Sequence, residues 1–179
     1  NYGDFLEFIS TRRSIRRYKD AEIPEDALKK IFEAARWASS WLNQQPWEFI
    51  VIGDIGKKKA LREIYDNARK ELGLYEQDSS YLETALLVLA LADTEKKAPS
   101  IGTSLAMQNM LLAAHSLGLG ANVIGTPVST ENSRKEIRRL FDIPVKYEML
   151  AVMAFRYADE NPEPKPKREA KEFIHFNIF

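Results

Sequence analysis

The 179-residue chain contains no cysteine. That excludes disulfides, thiolate metal sites, iron–sulfur clusters and cysteine nucleophiles. Histidine is scarce too: His115 and His175 are the only two, so a three-histidine zinc site is impossible. No metal is expected. Net charge is also lacking, with 26 Lys+Arg against 26 Asp+Glu. This removes the general electrostatic case for nucleic acid or an acidic membrane surface and leaves only local basic patches. The longest apolar run, Ala85–Ala92, is too short to cross a bilayer. No apolar signal-peptide core precedes it, so a cytoplasmic location is expected. Neither a Gly-x-Gly-x-x-Gly sequence nor a phosphate-loop Gly-Lys-Ser/Thr occurs, so the usual dinucleotide and nucleoside-triphosphate cradles are missing. Repeats and low-complexity blocks are absent.

What is present is a globular composition. Hydrophobic residues at 45% against 29% charged rule against wholesale disorder. The length suits one domain over residues 1–179. In Asp159–Lys167, Pro162, Pro164 and Pro166 alternate with polar and charged residues. Such a stretch is extended, so residues 159–179 read as an arm laid across a surface.

Periodicity supplies the elements. Asp4–Ser10 is a short helix with Phe5, Phe8 and Ile9 on one face. A second helix starts at Pro24 and carries Ala27, Leu28, Ile31, Phe32 and Ala35 at helical spacing. Trp47–Ile52 is a strand stopped by Gly53-Asp54, and Gly56–Glu71 is an amphipathic helix. Thr84–Ala92 suits a strand buried on both faces. Ile101–Leu117 is a helix apolar nearly all round, which suggests burial against a partner subunit, with Gly118 as its left-handed terminator. Ala121–Ile124 is a brief strand, Thr130–Phe141 a helix capped by Thr130, and Tyr147–Tyr157 a long strand. Phe173–Phe179 is a terminal extended segment. Long helices therefore cover a sheet of about four or five strands.

Three features carry chemistry. Arg12-Arg13-Ser14-Ile15-Arg16-Arg17-Tyr18-Lys19 places five cations and a serine hydroxyl after a short helix. Guanidinium forks match phosphate oxygens. The run is either an anion site or a solvated basic face, and the alternation with Ile15 and Tyr18 suggests a partly packed strand or turn. Ser39-Ser40-Trp41-Leu42-Asn43-Gln44-Gln45 sets hydroxyls and amides between a helix and a strand. Amides donate and accept together, which suits the edge of a heteroaromatic ring; a capping loop is the plainer alternative. Gly125 follows a short strand, where glycine permits close backbone approach to a ligand or simply makes a turn. Together they call for a ligand with a phosphate at one end and a polar ring at the other, the shape of flavin mononucleotide (FMN).

The same residues resemble the nitroreductase family of FMN-dependent oxidoreductases over nearly the whole chain. The matching pieces are Arg12-Arg13-Ser14-Ile15-Arg16; Asn43-Gln44-Gln45-Pro46-Trp47 leading into Glu48-Phe49-Ile50-Val51; Gln108–His115 with Leu117-Gly118-Leu119-Gly120; Lys165-Pro166-Lys167; and His175-Phe176-Asn177. The resemblance implies an α+β fold, a central mixed, mainly antiparallel sheet flanked by helices, in an intertwined homodimer with an exchanged C-terminal arm. Two FMN sites would lie at the subunit interface. By the same resemblance Arg12, Arg13, Ser14 and Arg16 clamp the flavin. Ser39, Ser40, Asn43 and Gln45 reach it from the other chain, Gly125 offers a backbone donor near N5, and Lys165 and Lys167 hold phosphate.

Three departures stand out. Trp41 replaces a small residue near the flavin. Lys167 replaces an arginine, a role that Arg168 would take by a one-residue slip. The region after Leu72, often a lid, is short.

The implied reaction is hydride transfer from NADH or NADPH through FMN to a nitroaromatic, quinone or flavin acceptor in a ping-pong cycle. No catalytic side chain is needed; Arg16 and Gly125 tune the cofactor. Trp41, Trp47, Tyr65, Tyr75 and Tyr81 would wall the acceptor pocket or fill core and interface. His115 is expected to pack a helix or lie at the surface, and His175 to be structural. The alternatives are a flavin-cleaving or dehalogenating relative, or a non-catalytic phosphate- or RNA-binding module. Neither a nucleic acid nor a membrane is expected as partner.

Overall fold

The computed structural model describes residues 2–178. Four strands form one sheet in the order β1-β2-β4-β3: β1 (Trp47–Ile52), β2 (Leu86–Asp93), β3 (Leu119–Ile124) and β4 (Tyr147–Tyr157). All three ladders are antiparallel. Among the described residues the one parallel pairing is an isolated bridge between Ser14 and Ala121. The sheet is thus antiparallel, with the Ser14 bridge as a parallel contact on its edge, in the helix-flanked α+β arrangement that the family resemblance implies.

The helices are α1 (Tyr2–Thr11), α2 (Glu25–Arg36), α3 (Ile55–Glu71), α4 (Tyr81–Thr84), α5 (Pro99–Ser116) and α6 (Glu131–Leu140). Local chemistry sets their ends. The Asp54 carboxylate accepts from Lys57 N–H at 2.8 Å and starts α3. Thr130 and Ser133 cap α6 reciprocally. Gly118 adopts φ +72° and ends α5.

The sheet separates two cores. Leu87, Leu89 and Leu91 of β2 pack with α3, α4 and α6 on one face. Val88 and Ala90, alternating with them, pack with α2 and α5 on the other. This two-sided burial is what the unbroken apolar run predicts. That strand begins later than the run does, at Leu86, because Thr84 closes α4.

Helix α5 differs in part from its sequence reading. Its Ala106, Met110 and Ala114 are buried inside this chain, while Ile101 and Leu105 remain exposed. The tail also differs. A 3₁₀ turn at Ala170–Glu172 precedes 173–178, which pair with no strand of the chain, and Phe179 lies outside the described residues. No helix among the described residues is long and apolar enough to cross a membrane.

Candidate active site

After Thr11 the chain turns extended and runs along the outer edge of β3. Ile15 N–H donates to Ala121 O at 3.0 Å, Lys19 N–H to Tyr157 O at 2.9 Å, and Asp159 N–H to Arg17 O at 2.9 Å. The Tyr18 phenol donates to Ile15 O at 2.6 Å. Ile15 is buried against Gly120, where a Cβ would stand 2.9 Å from the isoleucine side chain. Glycine is required there by this close approach. The basic segment is therefore packed on one side, as its alternation suggests.

Arg12 and Arg13 are half-buried. Arg13 Nη1 donates to Ser10 O at 2.5 Å and Arg12 O at 3.1 Å, but its Nε is buried without a partner. Among the described residues neither arginine pairs with a carboxylate. Burial, and then the charge of Arg13, pulls the Arg12 pKa down. Two partly desolvated like charges with an orphaned donor favour an arriving anion.

Glu160 lies close to this segment. Its Oε1 accepts from the backbone N–H of Arg16 and, at 3.0 Å, of Arg17, and its Oε2 lies 3.8 Å from Arg17 Nε. The carboxylate thus engages Arg17, while the Arg16 side chain stays exposed. A cleft of about 220 Å³ opens beside Arg12, Arg13, His115, Gly118, Gly120 and Glu160. His115 Nε2 lies 3.0 Å from Thr11 Oγ1, and its ring centroid is 4.8 Å from that of Phe8. Burial, then Arg12, lowers its pKa. His115 packs α5 on α1, as expected of it.

Gly125 follows β3 with φ −82°. Neither its conformation nor its neighbours require glycine, since no atom lies within 4 Å of where a Cβ would stand. The space over its backbone is open to a flat ligand. Its carbonyl accepts from Val128 N–H at 3.0 Å and Ser129 Oγ at 2.8 Å, which fixes the turn.

The amide loop is built differently. Leu42, Asn43 and Gln45 adopt left-handed backbone with φ of 46°, 54° and 47°. Such conformations are costly for residues with a side chain. Gln45 N–H donates to Ser40 Oγ at 3.0 Å, and Lys97 N–H donates to Gln44 Oε1 at 2.8 Å. Pro46 and Ser40 press on α5 at Gly102, where a Cβ would meet Pro46 Cγ at 2.9 Å. Ser39, Asn43 and Gln45 are exposed and Ser40 is half-buried.

Lys165 and Lys167 lie exposed on the arm. Arg168 donates to Glu172 O, and its guanidinium carbon is 5.6 Å from the Phe173 ring centre. Arg168 is engaged locally, whereas Lys165 and Lys167 enter no ion pair among the described residues.

One chain does not bring these groups together. Arg12, Arg13, Ser14, Arg16 and Gly125 sit along β3 at one edge of the sheet. Ser39, Ser40, Asn43 and Gln45 precede β1 at the other edge. Ser14 bridges Ala121, which faces Phe155, whereas Trp47 faces Ala92 and, through it, Glu148. Ser14 and Trp47 are about 19 Å apart across the sheet and roughly 20 Å apart along the strands, from standard strand spacing, while Gly125 at the far end of β3 stands nearer to Trp47. Of the aromatic candidates, Tyr65 and Tyr81 are core residues, while Trp41 and Tyr75 are exposed. Sequence reading missed Glu160 and the exposed Trp37. Glu160 stands among charged linker residues, and nothing local marked it.

The description "Nitroreductase family" matches residues 9–157. A Methanothermobacter thermautotrophicus protein named as an NADH dehydrogenase/NAD(P)H nitroreductase is 39% identical over 163 residues, 89% of this chain and 80% of that protein. The structure of an FMN-dependent nitroreductase from Clostridium difficile superposes with a TM-score of 0.80 at 32% identity, covering 97% of this chain and 99% of the other. An iodotyrosine deiodinase from Thermotoga neapolitana is 29% identical over 190 residues, 97% of each chain. By the span of the family match and the likeness of its relatives, this chain belongs to the nitroreductase family.

Proposed function

We propose that the protein is an FMN-dependent oxidoreductase. It takes hydride from NADH or NADPH and passes it to a nitroaromatic, quinone or flavin acceptor in a ping-pong cycle, as an intertwined homodimer with FMN at the subunit interface. The observation that carries this reading is the half-buried pair Arg12 and Arg13, which pair with no carboxylate among the described residues and hold an orphaned Nε donor. Open space over Gly125 fits a flat ring on the same edge. The FMN-dependent nitroreductase likeness supports the flavin, and the NAD(P)H nitroreductase likeness supports the donor.

Bound FMN would supply the two-electron chemistry, so no side-chain nucleophile is required. Arg12, Arg13 and Ser14 would hold the phosphate end, assisted by Lys165 and Lys167. The exposed Arg16 would lend positive charge to the pyrimidine edge and stabilise the reduced, anionic ring. Gly125 N–H would donate to N5. Ser39, Ser40, Asn43 and Gln45 of a second copy would contact the ring edge. The split between the two sheet edges supports this division of labour. So do the exposed apolar side chains Phe5 and Leu6 on α1, Ile101 and Leu105 on α5, and Phe173 and Phe176 on the arm. A surface this apolar calls for a cover.

Anaerobic titration tests the reading. NADH should bleach the bound flavin's visible band, and a nitroaromatic or quinone should restore it. A colourless protein that cannot be loaded with FMN, or a monomer by sedimentation that still holds it, overturns the proposal. The deiodinase likeness favours a second reading, reductive dehalogenation; iodide release from 3-iodotyrosine under reducing conditions separates the two.

A further inference from the structure

The end of α2 carries an arrangement that the reaction above leaves unused. Trp37 is 75% exposed, yet it is held in place. Its Nε1 donates to Glu33 Oε1 at 2.8 Å. Glu33 also accepts from Arg36, with Nε at 3.0 Å and Nη2 at 2.7 Å. The Arg36 guanidinium carbon lies 5.5 Å from the centre of the indole. The Arg36 bonds first, and then the Trp37 bond, hold the Glu33 carboxyl below its usual range. The indole N–H is thus satisfied within the turn, and the ring is set before any ligand arrives. A rigid aromatic surface loses little entropy on binding a flat partner.

Trp37 borders a cleft of about 300 Å³ shared with Arg36, Ala38, Asn43 and Gln45. Ala38 leaves room for a ring. Asn43 and Gln45 carry the left-handed backbone already described. Strain of that kind persists where a site gains from it. The cleft therefore offers an indole and a planar cation to a flat ring, with the flavin-facing loop as its rim. Arg36 is neutralised by Glu33, so the cleft suits a heteroaromatic base better than a phosphate dianion.

Among the molecules the reaction brings to the protein, the nicotinamide dinucleotide carries such a base at its non-reacting end. Asn43 and Gln45 also belong to the loop assigned to the flavin, so cleft and reaction site adjoin. We propose that Trp37 and Arg36, beside the loop of Asn43 and Gln45, form a subsite for the adenine of NADH or NADPH. This rests on the oxidoreductase reading. Burial of Trp37 under a second copy is the competing occupancy. The charged Glu33–Arg36 pair at its rim argues against that, because interface cores are depleted of charge.

The test uses two donors on the FMN-loaded protein: NADH, and reduced nicotinamide mononucleotide, which has the same reacting ring and no adenine. Trp37→Ala should raise KM for NADH about five- to a hundredfold, the range for losing one base–aromatic stack. The kcat, and both constants for the mononucleotide, should not move. AMP should quench tryptophan fluorescence of the wild type, and Trp37→Leu should abolish the quench with its circular dichroism unchanged. Equal KM changes for both donors, no AMP quench, or a changed sedimentation coefficient in Trp37→Ala would each overturn the subsite. Failure of both donors to reduce bound flavin would instead sink the oxidoreductase reading, and the AMP quench would still judge the cleft.

Discussion

The cationic segment at 12–19 and the amide loop at 39–46 are both read as ligand-binding, but they are held by opposite means. The first is joined to the sheet. Its backbone bonds to Ala121 and Tyr157, and Ile15 is inserted against Gly120. The second meets the sheet at its end, where Pro46 O accepts from Asp93 N–H at 2.8 Å, while its three left-handed residues are pinned by a serine hydroxyl and a glutamine amide. The difference follows from what each must present. Unpaired guanidiniums repel one another and need a stiff support. Neutral amides need only the right direction, which a strained turn supplies.

That contrast can be broken by experiment. The largest effect is expected at Ile15→Ala, which empties the anchor of the cationic segment. It should destabilise the protein by about 2–5 kcal/mol, read by chemical denaturation. A loss under 1 kcal/mol would show that the segment is not joined to the core as described. Next is Arg12→Ala. It should weaken FMN binding by about 1.5–3 kcal/mol in a fluorescence titration while leaving the melting temperature almost unchanged. Wild-type affinity in that variant would remove Arg12 from the site.

The amide loop should respond the other way. Gln45→Gly relieves a left-handed side chain, so stability should change by no more than about 1 kcal/mol in either direction. A large destabilisation would mean that the loop carries core packing after all. The smallest effect concerns His115, wedged between the two helices behind the cations. Its pKa in the folded protein is below the unfolded value, so the unfolded chain binds more protons as pH falls through the mid-6 range. Stability should therefore be full above that range and decline as the pH drops through it. His115→Gln should flatten that part of a melting-temperature profile against pH; an unchanged slope would assign it to other groups.

Much of this was legible in the residues. Trp47–Ile52 and Tyr147–Tyr157 match the sequence reading to the residue: turn residues bound the first, and the second is a long apolar run with polar ends. The fate of Thr84 was not legible, since an apolar run does not reveal a four-residue helix ahead of it. Arg69 on α3 is buried beside Tyr65 although its charge suggests surface; the Tyr65 hydroxyl accepts from Arg69 and from Gln77, a residue of the following loop. No local pattern announces a partner twelve residues away.

Sequence alone determined the long helices and the four strands, the two-sided burial of β2, and the chemical character of each binding segment. These depend on periodicity, capping and side-chain type, all of which act within a few residues. Only the tertiary structure decided where the segments stand. It put the cations on the edge of β3 and the amides before β1, set Glu160 beside Arg17, and left Trp37 as a fixed open ring. Strand order and pairing fix those positions, and they arise from contacts between residues remote in the chain, which no local pattern encodes.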